Sequence, residues 1–238
     1  MFGYIPPKMQ RVRRTTWMPT VRNGDGGPHA SKFSGTPWLL QGEAWPKCDN
    51  CGKPMPLFLQ LNLDTLPEEL NKMYGSGLLQ LFYCTSADPC CEAECDAFFA
   101  FTSAKLVRVI QPEGEPQAAK IPAEAAKFPP LEIVSWKADQ DYPNWEEGQE
   151  YRVNLTDDEW EQIAAQNFPR AGDKLAGWPV WAQGIEYPNC PICHDIMHLV
   201  FQLDSEDHVA HMFGDAGCGH ITQCPTHPDQ VTFAWACG

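Results

Sequence analysis

The sequence predicts a mainly β protein, internally duplicated, of two β-rich halves with one or two short helices. Three observations lead there. Residues 32–61, KFSGTPWLLQGEAWPKCDNCGKPMPLFLQL, overlie 174–203, KLAGWPVWAQGIEYPNCPICHDIMHLVFQL, at a constant offset of 142 without a gap. Apolar residues after the CxxC pair in each copy recur at every second position, the period of a half-buried strand. Twenty-two prolines are spread over 238 residues, a density that disfavours long helices.

The overlay makes twelve positions coincide: Lys32/Lys174, Gly35/Gly177, Pro37/Pro179, Gln41/Gln183, Gly42/Gly184, Pro46/Pro188, Cys48/Cys190, Cys51/Cys193, Met55/Met197, Leu57/Leu199, Gln60/Gln202 and Leu61/Leu203. Two copies are too few for a solenoid, so the pattern reads as a duplicated globular unit. The alternating residues are Met55, Leu57, Leu59, Leu61 and Leu63 in the first copy, and Met197, Leu199, Phe201 and Leu203 in the second. A second strand follows in each, GLLQLFYC at 77–84 and GCGHITQC at 217–224, ending on Cys84 and Cys224. The aromatic and β-branched segments AFFAFTSAKLVRVI and QVTFAWAC have strand composition.

Helix signals are few. In TDDEWEQIAAQN, Thr156 and Glu159 form a capping box, Asp157 and Asp158 suit the positive helix start, and Trp160, Ile163 and Ala164 share a face; this predicts a helix over 157–167. A short helix in PEELNKMY is a further expectation. Five prolines in QPEGEPQAAKIPAEAAKFPP mark an extended connector lying along the body. The expected organisation is a basic arm (1–30), a first half (31–110), the connector (111–130) and a second half (131–238).

Charge narrows the partners. Residues 1–34 hold six basic residues against Asp25, so the −14 of the whole chain becomes −19 for the rest. An acidic body repels phosphate backbones and attracts a basic protein, so a basic protein partner is expected and nucleic acid is not, except through the arm segment KMQRVRR. No apolar stretch approaches the roughly 20 residues of a spanning helix, and no secretory signal stands at the start; the expectation is a soluble, cytoplasmic protein.

In a reducing compartment, an odd eleven cysteines argue for metal ligation over disulfides. Zinc takes four tetrahedral ligands, and two thiolates from a tight turn plus others from a distant strand end supply them. Gly52 after the first pair permits a left-handed knuckle, whereas His194 stands in its place in the second. The first site draws on Cys48, Cys51 and Cys84, with Cys91 favoured over Cys90 or Cys95 as fourth ligand. The second draws on Cys190, Cys193 and Cys224, with His227 favoured over Cys218 or Cys237. Two structural zinc ions are expected, with Trp38 and Trp45 packing over the metal.

A thioredoxin-like role is disfavoured because each CxxC leads into a β pattern rather than a helix. The remaining histidines show no HExxH spacing, there is no GxSxG or Walker loop, and NGDGGP at 23–28 lacks the strand and helix of a phosphate cradle. No catalytic residue is assigned. The reading is a non-catalytic, zinc-stabilised protein-interaction module. The alternative is a metal-dependent hydrolase with an open zinc position at Cys190, Cys193 and Cys224.

From SKFSGTPWLLQGEAWPKCDNCGKPMPLFLQLNLD, GLLQLFYC, KLAGWPVWAQG and FGDAGCGHITQC, the chain from about residue 31 onward resembles the YwqG-like bacterial domain, a domain of unknown function. The resemblance implies a mainly β, internally duplicated YwqG-like fold and brings no catalytic residues. The knuckle, the FQL-type strand and YCTSADPCC are also similar to the programmed-cell-death-two proteins, which implies a chaperone-like role. A toxin-neutralising role is another version of the same reading.

Overall fold

The structure is a computed structural model that describes residues 4–117, 120–205 and 207–238. Its strands are β1 (Arg14–Asn23), β2 (Lys32–Phe33), β3 (Leu57–Asn62), β4 (Leu78–Tyr83), β5 (Lys105–Ile110), β6 (Leu131–Asp141), β7 (Lys174–Ala176), β8 (His198–Asp204), β9 (Cys218–Gln223) and β10 (Val231–Ala236). They form one antiparallel sheet in the order β10-β9-β8-β7-β1-β6-β2-β3-β4-β5. The long β1 and β6 pair at the centre, with β2 to β5 continuing from β6 and β7 to β10 from β1. Strands 142 residues apart in the overlay therefore stand at matching distances from the centre.

The two ends of the sheet meet, so it is nearly closed. The backbone N–H of Trp235 donates to the Phe98 carbonyl (3.0 Å), and the N–H of Phe101 donates to Thr232 Oγ1 (2.8 Å). Closure brings the inner faces of both halves into one core. Phe33 meets Phe201 edge-on at 5.9 Å, Tyr83 meets Phe233 at 5.9 Å, and Tyr74 donates its hydroxyl to the Leu199 carbonyl. In β3, β4 and β9 every residue but Asn62 is buried. The outer faces must therefore be covered too, and the knuckles, the connector and two helices lie among the segments outside the sheet.

Three of the twelve coincident pairs acquire a physical meaning here. Gln60 Oε1 accepts from the Trp38 N–H while its amide donates to the carbonyls of Pro28 and Ala30. Gln202 does the same with the Val180 N–H and the carbonyls of Arg170 and Gly172. Lys32 and Lys174 are fully buried. Each ammonium meets one carboxylate, Asp25 or Asp141, and one carbonyl four residues on, Thr36 or Trp178. Gly35 and Gly177 pass over these carboxylates at φ 85° and 81°; a Cβ would stand 2.8 Å from Asp25 Oδ1 or 2.5 Å from Asp141 Oδ2. Both glycines are thus required twice over, for backbone and for space.

The structure departs from the sequence reading in several places. The segment read as a basic arm contains β1, one of the two central strands; its burial does not alternate cleanly and a bulge falls between Thr20 and Val21, so periodicity hid it. Residues 131–141, read as the start of the second half, form β6 and pair with β1 and β2. Helix α1 (Cys91–Glu94) and α2 (Trp145–Glu150) are additional. Helix α3 (Asp157–Ala164) has the expected capping box but stops before 167: Asn167 is left-handed at φ 57°, and Pro169 cannot donate to a further turn. PEELNKMY gives only a 3-10 turn, Glu68–Leu70. The described part of the connector has neither helix nor strand. It lies on the body, where Gln117 bonds Leu39, Gly42 and Glu43. No helix among the described residues is long and apolar enough to cross a membrane.

The two lysine latches differ in exposure: Asp141 is wholly buried, whereas the Asp25 side chain is 36% exposed. Removing the Lys174 ammonium leaves a sealed carboxylate without its counter-charge. Lys174→Met is expected to cost about 3–5 kcal/mol in urea unfolding, and Lys32→Met distinctly less, because water reaches Asp25.

Candidate metal centres

Each CxxC sits in a tight hairpin. In the first, Lys47 bridges to Pro54, the Cys48 N–H donates to the Lys53 carbonyl (3.0 Å), and the Gly52 N–H donates to the Cys48 carbonyl (2.8 Å). In the second, Asn189 bridges to Ile196, and Cys190 and His194 donate in the same way to Asp195 and Cys190 (both 2.9 Å). Gly52 has φ 70° and His194 φ 63°. The His194 side chain is exposed, and histidine is among the residues other than glycine that are enriched in the left-handed region.

The other donors come from the ends of β4 and β9. Cys84 follows β4, anchored by its N–H on the Ala104 carbonyl, and Cys91 is the first residue of α1. Cys224 follows β9, and the turn after it returns His227, whose N–H points at Cys224 Sγ (3.3 Å). The ligand atoms of Cys48, Cys51, Cys84 and Cys91 all lie within 4.8 Å of one another, as do those of Cys190, Cys193, Cys224 and His227. Cys91 is the one of its three rivals that joins a group. Cys90 is exposed, Cys95 is half-buried, Cys218 Sγ stands 3.7 Å from His220 Nε2, and Cys237 packs toward Gly214.

The separations fit a tetrahedron. With zinc–sulfur bonds of about 2.3 Å, sulfurs at its corners stand roughly 3.8 Å apart; Cys51 and Cys84 are 3.7 Å apart and Cys193 and Cys224 are 3.6 Å apart. His227 Nδ1 is 3.8 Å from Cys190 Sγ and 3.6 Å from Cys224 Sγ. These sulfurs are far beyond the bond length of about 2.05 Å of a disulfide, and all eleven cysteines are free. Each group can hold one metal ion.

Local dipoles favour thiolate at one cysteine of each group, while burial pushes the Cys84 and Cys91 thiols up. Asn50 Nδ2 donates to Cys91 Sγ and the Ile192 N–H to Cys190 Sγ, both at 3.4 Å. Burial opposes ionisation of Cys51, but the Lys53 N–H and the neighbouring thiols outweigh it and bring the group down to about 7. Cys190 is likewise opposed by burial and is brought down to about 6 by the N–H groups of Cys193 and Ile192. One thiol in each group is thus prepared to lose its proton first.

The tryptophans are placed differently from one another. Trp45 stands edge-on to Phe82 and donates to the Met55 carbonyl beside the first knuckle. Trp38, expected over the metal, is held by Gln60 and Gln80 and faces His29 instead, because the amide latch fixes its backbone on the sheet. A third gathering, Asp173, Asp207 and His208, escaped the sequence reading. Its carboxylates are occupied within the fold: Asp173 accepts from the N–H groups of Asp204 and His208 and from His208 Nδ1, while Asp207 accepts from the Asp173 N–H. His208 stacks on Phe33 at 4.7 Å, tying the two halves together. The only sequence signal for it was Asp173 falling opposite Ser31, which bonds Asn62 as Asp173 bonds Asp204.

A family model described as Domain of unknown function (DUF1963) matches residues 31–235. The chain belongs to this family. The match covers both knuckles and the strands from β2 onward of this DUF1963 protein, leaves β1 outside, and corresponds to the first of its two resemblances. A search of curated proteins gives no match.

Protons compete with metal for the thiolates, so binding must weaken as pH falls. Zinc affinity, measured by chelator competition between pH 8 and pH 5.5, is expected to drop by roughly tenfold or more per unit once Cys51 and Cys190 protonate. The loss should continue through the values of about 7 and about 6 set by those groups.

Proposed function

We propose that this DUF1963 protein is a non-catalytic protein-interaction module of the cytoplasm, stabilised by two zinc ions and acting on a basic protein partner. One observation carries the non-catalytic part: both groups supply four protein donors at tetrahedral spacing. Structural zinc sites are closed in this way, whereas catalytic sites keep one position for water or substrate. A hydrolase at Cys190, Cys193 and Cys224 would need the fourth position open, and His227 Nδ1 stands there.

The first group, with four thiols, and the second, with three thiols and an imidazole, both have the donor chemistry of structural zinc. When bound, the ions would cross-link a knuckle to the far end of a strand in each half. The chain's own residues do the rest: the knuckle N–H groups hold the thiolates in place, and the bonds from the Cys84 N–H to the Ala104 carbonyl and from the Cys224 N–H to the Gln230 carbonyl fix the strand ends that present them. The acidic body supports a basic partner, since complementary fields steer encounter. Chaperone-like and toxin-neutralising roles are both forms of this reading.

Elemental analysis of purified protein is expected to give about two zinc ions per chain. Cys84→Ser and Cys224→Ser should each remove one equivalent, and chelation should lower Tm. Absence of bound transition metal would defeat the zinc reading. A pull-down from native lysate should recover a stoichiometric basic protein; none recovered after crosslinking would defeat the interaction reading.

A further inference from the structure

The clearest asymmetry between the halves is an insertion. The segment joining β1 to β2 is 24–31, whereas the one joining β6 to β7 is 142–173 and contains α2 and α3. The insertion has eight acidic residues against Arg152 and Arg170, and Glu146, Glu150, Asp157, Asp158 and Glu161 face water. The two helices pack with Gly148 against Trp160, where a Cβ would come within 2.2 Å of the indole. Beside this contact lies an open groove of about 340 Å³. Its apolar lining includes Trp160, Ile163 and Phe168, the Trp145 side chain is 55% exposed along it, and Asp157 and Glu161 also line it.

An exposed indole beside carboxylates is a receptor for a cationic side chain: the ring face attracts the charge and the carboxylates pair with it. Among the described residues, no ion pair engages Glu146, Asp157 or Glu161. The same insertion already receives basic side chains of its own chain elsewhere. Lys8 Nζ donates to the Asn154 carbonyl (2.7 Å), and Arg11 Nη2 donates to the Tyr151 carbonyl (2.9 Å). Arg14 Nη2 donates to the Tyr151 hydroxyl (3.1 Å).

The geometry points to the α2–α3 groove as the docking site for a lysine- or arginine-bearing segment of the partner protein. Trp145, Asp157 and Glu161 receive one cationic side chain, and flanking bases meet Glu146, Glu150 and Asp158. Those outer carboxylates favour a protein segment over a free small cation, which would leave them unused. The inference rests on the interaction-module reading and names the surface and the partner's chemistry.

The test uses the full, metal-replete chain with hexa-arginine peptide as probe, read by fluorescence anisotropy, with free arginine and a neutral glutamine–glycine peptide as comparisons. Hexa-arginine is expected to bind and the neutral peptide not. Trp145→Ala should weaken binding by about tenfold or more, and Glu161→Gln by roughly threefold to tenfold. Glu113→Gln, an exposed acid on the connector, should leave it unchanged, and all variants should keep the parent circular dichroism and Tm. Equal losses in Glu113→Gln and Glu161→Gln, no loss in Trp145→Ala, or free arginine binding as tightly as the peptide would each overturn the proposal. A native partner held equally well by the Trp145→Ala/Glu161→Gln double variant would overturn the groove and leave the module reading standing. A parent chain that holds no native partner would remove that reading, and this inference with it.

Discussion

Strands β3, β4, β8 and β9 bury side chains on both faces, and this two-sided demand is the constraint from which the rest of the architecture follows. An antiparallel sheet with one apolar face can leave the other in water; this one cannot. The inner faces are satisfied by bending the halves onto each other until β5 and β10 meet. The outer faces are satisfied by chain that carries little regular structure of its own. A covering made of loops has few backbone hydrogen bonds to itself, so side chains must hold it in place. The buried glutamines do this by pinning loop carbonyls and a loop N–H to a strand, and the buried lysines by holding a loop carbonyl and a carboxylate.

The cysteine groups lie at the strand ends. A knuckle is too small to have a core, and a metal ion shared between it and the chain after β4 or β9 would give it a fixed place without one. The burial of Cys48 and Cys190 shows how far the knuckles are pressed into the body. Their backbone hydrogen bonds correspond across the two halves, from the bridge at Lys47 and Asn189 to the bond from Met55 and Met197 back to Pro46 and Pro188.

The sequence made some of this legible and hid the rest for identifiable reasons. Alternation located β3 and β8 because those runs are long and uninterrupted, and the capping box located α3 because Thr156 and Glu159 act locally. The coincidence of Lys32 with Lys174 was visible, but its purpose was not, since the counter-charges Asp25 and Asp141 lie 116 residues apart and fall outside the 142-residue register. The thiols of the first group were readable from spacing as far as Cys84. The choice among Cys90, Cys91 and Cys95 depends on how one turn of α1 is oriented, which spacing does not encode. β1 was obscured by its basic residues and its bulge, although Thr15, Thr16, Trp17 and Val21 are the composition of a strand.

The position of β1 bears on biosynthesis. Its hydrogen-bonding partners, β6 and β7, are more than a hundred residues further along the chain. The segment Arg14–Asn23 therefore stays unpaired, with its partly apolar side chains exposed, until β6 and β7 have been made. Such distant pairings are slow to form and exposed to error while they wait. Among the strand pairings, that of β1 with β7 spans the most chain, from Thr16 to Ala176, which makes this seam the costliest of them to close.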